Sequence, residues 1–209
     1  MVVFVLPRLL IPVESTPGET RVAATPDTVK KFLSFGCDVS VERGAGTTSG
    51  YLDQAYADQG AQLIDPADAA EWSQADILLC VQPPSAASLA RLRQGALVVG
   101  LLSPYANAEL TASLTRGALS AMALELLPRI SRAQSADALS SQANIAGYKS
   151  VLLASAALDR YFPMLMTAAG TVQPAKVVIL GAGVAGLQAV ATARRLGAVV
   201  YVSGIRHAV

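Results

Sequence analysis

The residues whose types and spacing best match a chemical task lie between Gly181 and Gly186, in the sequence GAGVAG. They follow residues 177–180, a short β-branched run typical of a buried parallel strand, and precede a segment without Gly or Pro that ends at Gly197. A helix that begins after such a turn directs unpaired N–H groups and the positive end of its dipole at a phosphate. The pattern therefore predicts a dinucleotide contact, and a merely structural glycine turn is the alternative.

The three glycines have separate tasks in this pattern. Gly181 makes the tight turn, Gly183 lets the backbone approach a pyrophosphate, and Gly186 lets helix and strand pack closely. The predicted cofactor site consists of the following residues: Gly181, Ala182, Gly183, Val184, Ala185, Gly186, Ser203 and Arg206.

One expected part of the pattern is missing. An acidic residue about 20 positions after the turn normally accepts hydrogen bonds from the adenosine ribose. The sequence there is Ser203-Gly204-Ile205-Arg206, and no Asp or Glu follows Gly181. Ser203 with Arg206 suits a 2′-phosphate, whereas the interpretation we favour is that Arg206 is a solvated surface charge.

A second polar pattern precedes the turn. Asp137, Ser140, Ser141 and Asn144 recur at i, i+3, i+4 and i+7, which aligns them on one face of a helix predicted from about residue 136 to 161 with Ser135 as its N-cap. The stripe is either a solvated face or part of a ligand cleft, since a helix that links two domains commonly borders one. The sequence leaves both interpretations open.

These residues must be positioned by alternating strands and helices. Strand-like runs lie near residues 9–13, 37–42, 61–64, 77–81, 96–102 and 118–124, and helix-like runs lie near 25–35, 51–59, 85–93 and 106–115. This order predicts an α/β fold with a mostly parallel sheet, Rossmann-like or flavodoxin-like. We expect an N-terminal α/β domain over 1–135, an interdomain crossover helix over 136–167, and the first βαβ unit of a truncated Rossmann domain over 168–209.

Composition excludes several classes. A net charge of +1 without a basic run argues against nucleic-acid binding. No apolar run reaches the length of a membrane span, and the N-terminus lacks the basic start of a signal peptide, so a cytoplasmic location is expected. Cys37 and Cys80 have no metal-binding spacing and are predicted to be buried thiols.

Several motifs together resemble those of one family. They are ETRVAATP (19–26), VERGAG (41–46), PRISRAQS (128–135), DALSSQANIAGY (137–148), TAAG (167–170) and GAGVAGL (181–187). The chain resembles the NAD(H)-binding component of proton-translocating nicotinamide nucleotide transhydrogenase and, more distantly, alanine dehydrogenase. The loop around Arg129 and Gln134 is the most specific match.

The resemblance implies a dimeric component that binds NAD(H) and docks on a membrane-embedded proton channel and an NADP(H)-binding component, at the inner face of the plasma membrane. Hydride then passes directly from NADH to NADP⁺ while a proton crosses the membrane. It also implies that Arg129 and Asp137 hold the nicotinamide carboxamide, that Gln134 lies between the two nicotinamides, and that Ser140 supports the loop.

Departures from the family pattern define the alternatives. The resemblance implies that the positions of the catalytic Lys and His of alanine dehydrogenases hold Gln82 and Ser103 or its neighbour, so amino-acid oxidation is the least favoured function. Gly204 replaces the ribose-binding Asp, so weak NADH binding is expected. The end at Val209 is interpreted as that of an N-terminal fragment, with an exposed apolar patch at Leu180, Val184 and Leu187. The runner-up function is therefore a non-catalytic truncated relative that oligomerises or binds a partner.

Overall fold

The structure, a computed structural model, describes residues 6–204. The chain divides into two compact units, Met1–Pro128 and Arg129–Val209. Arg206 of the predicted cofactor site lies outside the described residues.

The first unit contains a six-stranded sheet in the order β3-β2-β1-β4-β5-β6. Its strands are β1 (Arg8–Ile11), β2 (Asp38–Glu42), β3 (Gln62–Ile64), β4 (Ile77–Leu79), β5 (Leu97–Gly100) and β6 (Ser120–Ala123). All five strand pairs are parallel, which confirms the predicted α/β class. The strand order reverses at β1, which lies between β2 and β4, and ligands of open α/β sheets bind at such a point.

Alternation along β1 explains why the sheet is covered on both faces. Leu9 and Ile11 belong to one buried cluster, whereas Leu10 belongs to another, because successive side chains of a strand point to opposite faces. The helices of this unit are α1 (Pro26–Ser34), α2 (Asp53–Ala57), α3 (Ala69–Gln74), α4 (Ala86–Leu89) and α5 (Ala108–Arg116). Thr25 is the N-cap of α1, and Pro26 occupies its first position.

The sequence did not predict α3. Asp68 caps this six-residue helix by accepting from the Ala70 and Glu71 amides, and Trp72 is its one buried residue. A helix with a single buried anchor shows no apolar period, so nothing in the pattern distinguished it from a loop.

The second unit contains a parallel strand pair and an antiparallel hairpin. Its elements are α6 (Ala138–Ala157), β7 (Leu165–Thr167), β8 (Gly170–Val172), β9 (Lys176–Leu180), α7 (Val184–Arg195) and β10 (Val199–Ser203). The order β9-α7-β10 is the predicted βαβ unit. The β7-β8 hairpin was not predicted, because a strand of three residues is too short to show a recognisable alternation of apolar and polar side chains.

The start of α6 corrects the predicted N-cap. Ser135 lies inside a 3-10 helix, Ser131–Ala136, and Asp137 is the N-cap of α6. The helix also ends at Ala157 and not at residue 161. The Asp137 carboxylate accepts hydrogen bonds from both the amide and the hydroxyl of Ser140, whereas Ala138, three positions after Ser135, has no hydroxyl to donate, which explains the shift.

Within residues 6–204, no helix combines the length and apolar character that crossing a membrane requires.

Candidate functional site

The glycine turn after β9 has the geometry that the sequence predicted. Gly181 has φ +106°, a conformation that L side chains rarely adopt, and its amide donates to the Ser203 carbonyl at 2.7 Å. A Cβ added at Gly186 would lie 1.8 Å from the Gly181 carbonyl oxygen. Both positions therefore require glycine, one for backbone conformation and the other for the close approach of α7 to the turn.

The N-terminus of α7 offers backbone donors. Gly183 is its N-cap in an extended conformation, and no side chain of residues 6–204 caps the helix. The first intrahelical bond runs from the Leu187 amide to the Gly183 carbonyl at 2.8 Å, so the amides of Val184, Ala185 and Gly186 have no partner within the helix. Such a set of donors fits the pyrophosphate of a dinucleotide.

The tip of β10 lies beside this turn. Ser203 is in register with Leu180 at the carboxyl end of the parallel pair, and both Ser203 and Gly204 are exposed. A Cβ built on Gly204 would lie 3.4 Å from the Ala182 Cβ and 3.8 Å from its amide nitrogen. Position 204 is thus the place from which an acidic side chain would reach the adenosine ribose, and glycine occupies it.

Asp137 and Ser140 form the polar centre of the loop that precedes α6. The Asp137 carboxylate accepts from the Ser140 amide at 2.9 Å and from the Ser140 hydroxyl at 2.6 Å. These two hydrogen bonds lower the pKa of Asp137 below its ordinary value, and the bond from the Ser140 hydroxyl has the larger effect. The positive charge of Arg129 also lowers this pKa. Asp137 is therefore an ionised acceptor at neutral pH, held in one orientation by Ser140.

Arg129 and Gln134 belong to the same loop. Both side chains are exposed, and the Gln134 carbonyl accepts from the Asp137 amide at 3.3 Å. The structure thus brings Arg129, Asp137 and Ser140 into one electrostatic group, and it joins Gln134 to that group through the backbone.

The helix that follows this loop is fixed to α7. A Cβ added at Gly147 would lie 2.1 Å from the Ala185 carbonyl oxygen, so α6 crosses the first turn of α7 in backbone contact. Asn144 of the predicted polar stripe donates to Gln188 of α7 at 3.2 Å. The stripe is therefore not simply a solvated face, since one of its members connects α6 to the helix that begins at the glycine turn.

A charged cluster that the residue pattern did not single out lies in the first unit at the strand-order reversal. Glu14 accepts from the Val81 and Gln82 amides, and Glu19 accepts from the Gln82 side chain at 2.8 Å and from Arg21. The Arg21 hydrogen bond is the main reason that the pKa of Glu19 falls to about 2. Burial raises the pKa of Glu14.

Two residues that were expected to match the catalytic positions of alanine dehydrogenases form hydrogen bonds in the first unit. Gln82 donates its side-chain amide to Glu19, and Ser103 donates its backbone amide to Glu125. The motif ETRVAATP marked this region, but no sequence pattern indicated that Glu14 would reach the end of β4. Among residues 6–204 no group of acidic, Cys or His side chains is arranged to hold a metal ion.

Comparisons with known proteins identify the family of the chain. The family model "Alanine dehydrogenase/PNT, N-terminal domain" matches residues 10–146, and the corresponding C-terminal domain model matches residues 150–209. The chain belongs to this alanine dehydrogenase and transhydrogenase family.

Transhydrogenase relatives are more similar than alanine dehydrogenases. The chain is 47% identical over 206 residues to the first part of the NAD(P) transhydrogenase alpha subunit of Rhodospirillum rubrum, covering 96% of this chain and 53% of the relative. It is 34% identical over 205 residues to an alanine dehydrogenase of Mycobacterium tuberculosis, covering 95% of this chain and 53% of that protein. A transhydrogenase structure from Sinorhizobium meliloti superposes with a TM-score of 0.91 at 50% identity, covering 96% of this chain and 57% of that one. The chain thus spans about half the length of these relatives.

Proposed function

We propose that this chain is the NAD(H)-side component of a proton-translocating transhydrogenase and takes part in direct hydride transfer from NADH to NADP⁺ held by a partner component. The observation that carries the proposal is that a glycine turn suited to a pyrophosphate and the Arg129–Gln134–Asp137–Ser140 loop occur in one compact unit. The similarity to transhydrogenase alpha subunits supports it.

The pyrophosphate end of the site binds through backbone groups. The amides of Val184, Ala185 and Gly186 donate to the phosphate oxygens, and the positive end of the α7 dipole adds to the attraction. Gly181 and Gly186 permit the close approach, because any side chain at either position would distort the turn or strike it.

The nicotinamide end of the site orients the ring. Asp137 is an ionised acceptor for the carboxamide N–H₂, Arg129 is a donor to the carboxamide oxygen, and Ser140 fixes the Asp137 carboxylate. Gln134, which is exposed, would separate this nicotinamide from that of the partner component. Bound NADH supplies the hydride. Transfer of a hydride between two rings needs orientation and exclusion of water and no acid or base, which fits a loop, residues 129–140, that contains neither His nor Lys.

The partners follow from the same assignment. The chain forms a homodimer, docks on a membrane-embedded proton channel component and an NADP(H)-binding component, and lies peripherally at the inner face of the plasma membrane. The similarity to a relative that is itself the first part of an alpha subunit supports the presence of further components.

A reconstitution with isotopic label tests the proposal. The chain is mixed with the membrane and NADP(H)-binding components of a transhydrogenase, and deuterium transfer from NADH labelled at C4 to an NADP⁺ analogue is measured by mass spectrometry. We expect label in the product with the wild-type chain, and much less with Asp137→Ala. Formation of the complex without label transfer would contradict the proposal and favour the alternative below.

The alternative function is a non-catalytic relative that oligomerises or binds a partner. Two observations favour it, namely the glycine at position 204 and the 84% exposure of Leu180 at the end of β9. Oxidation of an amino acid is the least favoured function, because we expect Gln82 and Ser103 or its neighbour at the positions of the catalytic lysine and histidine of alanine dehydrogenases.

A further inference from the structure

Helix α6 begins at the Asp137 loop and packs against α7 further along its length. Its two buried residues are Gly147 and Val151, and none of the residues from 138 to 146 is buried. Gly147 is close to the backbone of Ala185, in the first turn of α7. The close packing of the two helices therefore begins ten residues after Asp137, the N-cap of α6.

This separation makes the position of the loop sensitive to the angle between the helices. At 1.5 Å per residue, ten residues of helix span about 15 Å. A rotation of α6 by about 10° at its contact with Ala185 would move the helix N-terminus by about 2.6 Å. Helix packing alone leaves a scatter of about 15–20° in the crossing angle. Because a displacement of about 1 Å can cost about 10²-fold in rate, the proposed reaction needs a second contact that fixes the angle.

A hydrogen bond between two side chains supplies such a contact. Asn144 donates through Nδ2 to Oε1 of Gln188 at 3.2 Å. Asn144 lies three residues before Gly147 in α6, and Gln188 lies three residues after Ala185 in α7. Two contacts that are separated along both helices determine the angle between them, which a single contact does not.

The orientation of the Gln188 amide is determined by Thr192. The Thr192 hydroxyl has one proton, which it donates to the backbone carbonyl of Gln188 at 2.8 Å. The hydroxyl oxygen therefore accepts from Nε2 of Gln188, at 3.3 Å, and this leaves Oε1 as the acceptor that faces Asn144. Thr192 is 3% exposed, so this end of the network is held inside the fold.

We propose that Asn144 and Gln188 are positioning residues, which fix the angle between α6 and α7 and thereby hold the Asp137 loop in place at the nicotinamide. The inference rests on the proposed function, because that loop is the proposed nicotinamide end of the site. It goes further by assigning the alignment of the two ends of the site, the loop and the N-terminus of α7, to two residues outside the proposed cofactor contacts.

Residual dipolar couplings measure the helix angle without any nucleotide. The couplings of the backbone amides are recorded by NMR for the full chain, and the orientations of α6 and α7 are fitted from them. In the wild type we expect both helices to fit one rigid alignment. In Gln188→Met, which keeps the length of the side chain and removes its hydrogen bonds, we expect the fitted angle to shift by about 10° or more. Gln94→Met, the same change at an exposed site of the first unit, should leave the angle unchanged.

Two acidic variants test the direction of the hydrogen bond. Gln188→Glu keeps an acceptor oxygen for Asn144 and should retain the wild-type angle. Asn144→Asp places two acceptors opposite each other and should shift the angle. Each variant adds one negative charge, so a difference between them reports on the hydrogen bond and not on the charge.

A nucleotide titration separates the inference from the proposed function. ADP-ribose, which lacks the nicotinamide, and NADH are titrated against the wild type and Gln188→Met. We expect the Kd of ADP-ribose to stay within about twofold and that of NADH to rise by about fivefold or more. An unchanged helix angle in Gln188→Met, or equal changes in the two Kd values, would overturn the inference alone. A wild type that binds neither nucleotide would overturn the proposed function and, with it, the role of the pair at the nicotinamide.

Discussion

At the scale of single residues, Asp137 combines two tasks that can be separated. Its carboxylate caps α6 by accepting from the Ser140 amide, and its charge is proposed to orient the nicotinamide. An Asn at this position keeps the cap and loses the charge, whereas an Ala loses both.

The first prediction uses this difference. Asp137→Ala should lower the free energy of unfolding by about 1 kcal/mol, while Asp137→Asn should change it by a few tenths, and both should weaken nucleotide binding. Thermal unfolding and NADH titration measure the two effects. Ser135→Ala is the matched control and should leave stability within about 0.5 kcal/mol, because Ser135 lies within the 3-10 helix and is not the cap. Equal loss of stability in the Asn and Ala variants would contradict the assignment of Asp137 as N-cap.

Glu19 gives the second prediction, a pH dependence. Its side chain is 7% exposed and its pKa is lowered from 4.5 to about 2, mainly by the hydrogen bond from Arg21. Ionised Glu19 therefore stabilises the fold at any pH above the pKa that it has in the unfolded chain, about 4.5. This stabilisation is lost as the pH falls from about 4.5 towards 2. Because the pKa of Glu14 is raised, its contribution to the free energy of unfolding changes with pH in the opposite direction. The contribution of Glu19 is therefore isolated by comparing the wild type with a Glu19 variant.

Urea unfolding between pH 7 and pH 2 checks this effect. Glu19→Gln should lower the free energy of unfolding at pH 7 by about 1–3 kcal/mol and should flatten its decline at acid pH. Glu109→Gln, at an exposed position of α5, should follow the wild-type curve. A Glu19→Gln curve parallel to that of the wild type would be incompatible with the Arg21 contact.

At the scale of elements, the crossing of α6 over α7 decides where the loop before α6 is held. The crossing depends on Gly147, which lets α6 contact the Ala185 carbonyl directly. The carbonyl is backbone and cannot rotate away, so a methyl group at 147 must push the helices apart.

The third prediction is a reversal of helix propensity. A Gly-to-Ala change inside an isolated helix would stabilise the helix by about 1 kcal/mol. For Gly147→Ala we expect instead that overpacking lowers the free energy of unfolding by about 1–3 kcal/mol and that nucleotide binding weakens. Gly204→Ala adds the same atom where only ordinary contact results and should be neutral. Thermal unfolding of both variants measures the difference, and a Gly147→Ala chain as stable as the wild type would refute the close crossing.

The elements that the sequence predicted are those whose signals are local and redundant. The turn from Gly181 to Gly186 was readable because a strand, three glycines and a helix follow one another. The start of α6 was predicted wrongly because two polar residues two positions apart, Ser135 and Asp137, both suit an N-cap, and only the bond to Ser140 decides between them. The contact of Glu14 with Val81 was unreadable, because a parallel sheet brings together strand ends that are distant along the chain.

At the scale of the whole molecule, one face of the β9-β10 pair is apolar and open. Leu180 is 84% and Val178 65% exposed, and Tyr201, the register partner of Val178, lies beside them on the face that alternates away from the buried cluster. Val184 and Leu187 of α7 are also exposed, at 42% and 52%. An exposed apolar face such as that of Val178, Leu180 and Tyr201 marks an interaction surface or an aggregation hazard.

The fourth prediction concerns this face. Leu180→Lys should reduce the fluorescence of a bound hydrophobic dye and slow self-association, with no loss of stability, because the side chain is almost fully exposed. Thr171→Lys, an exposed change on the β7-β8 hairpin, adds the same charge elsewhere and serves as control. Equal effects of the two variants would attribute the change to net charge and contradict the role of the face.

Hydrogen exchange in the presence of NADH tests the central claim most directly, because it reports on the turn and the loop together. Exchange of backbone amides is measured by mass spectrometry at a nucleotide concentration high enough to saturate a weak site. We predict slower exchange both at residues 183–187, where the first amides of α7 meet the pyrophosphate, and at residues 131–140, where the loop meets the nicotinamide. Protection confined to the ends of β1 and β4 in the first unit, or protection of neither segment, would contradict the account.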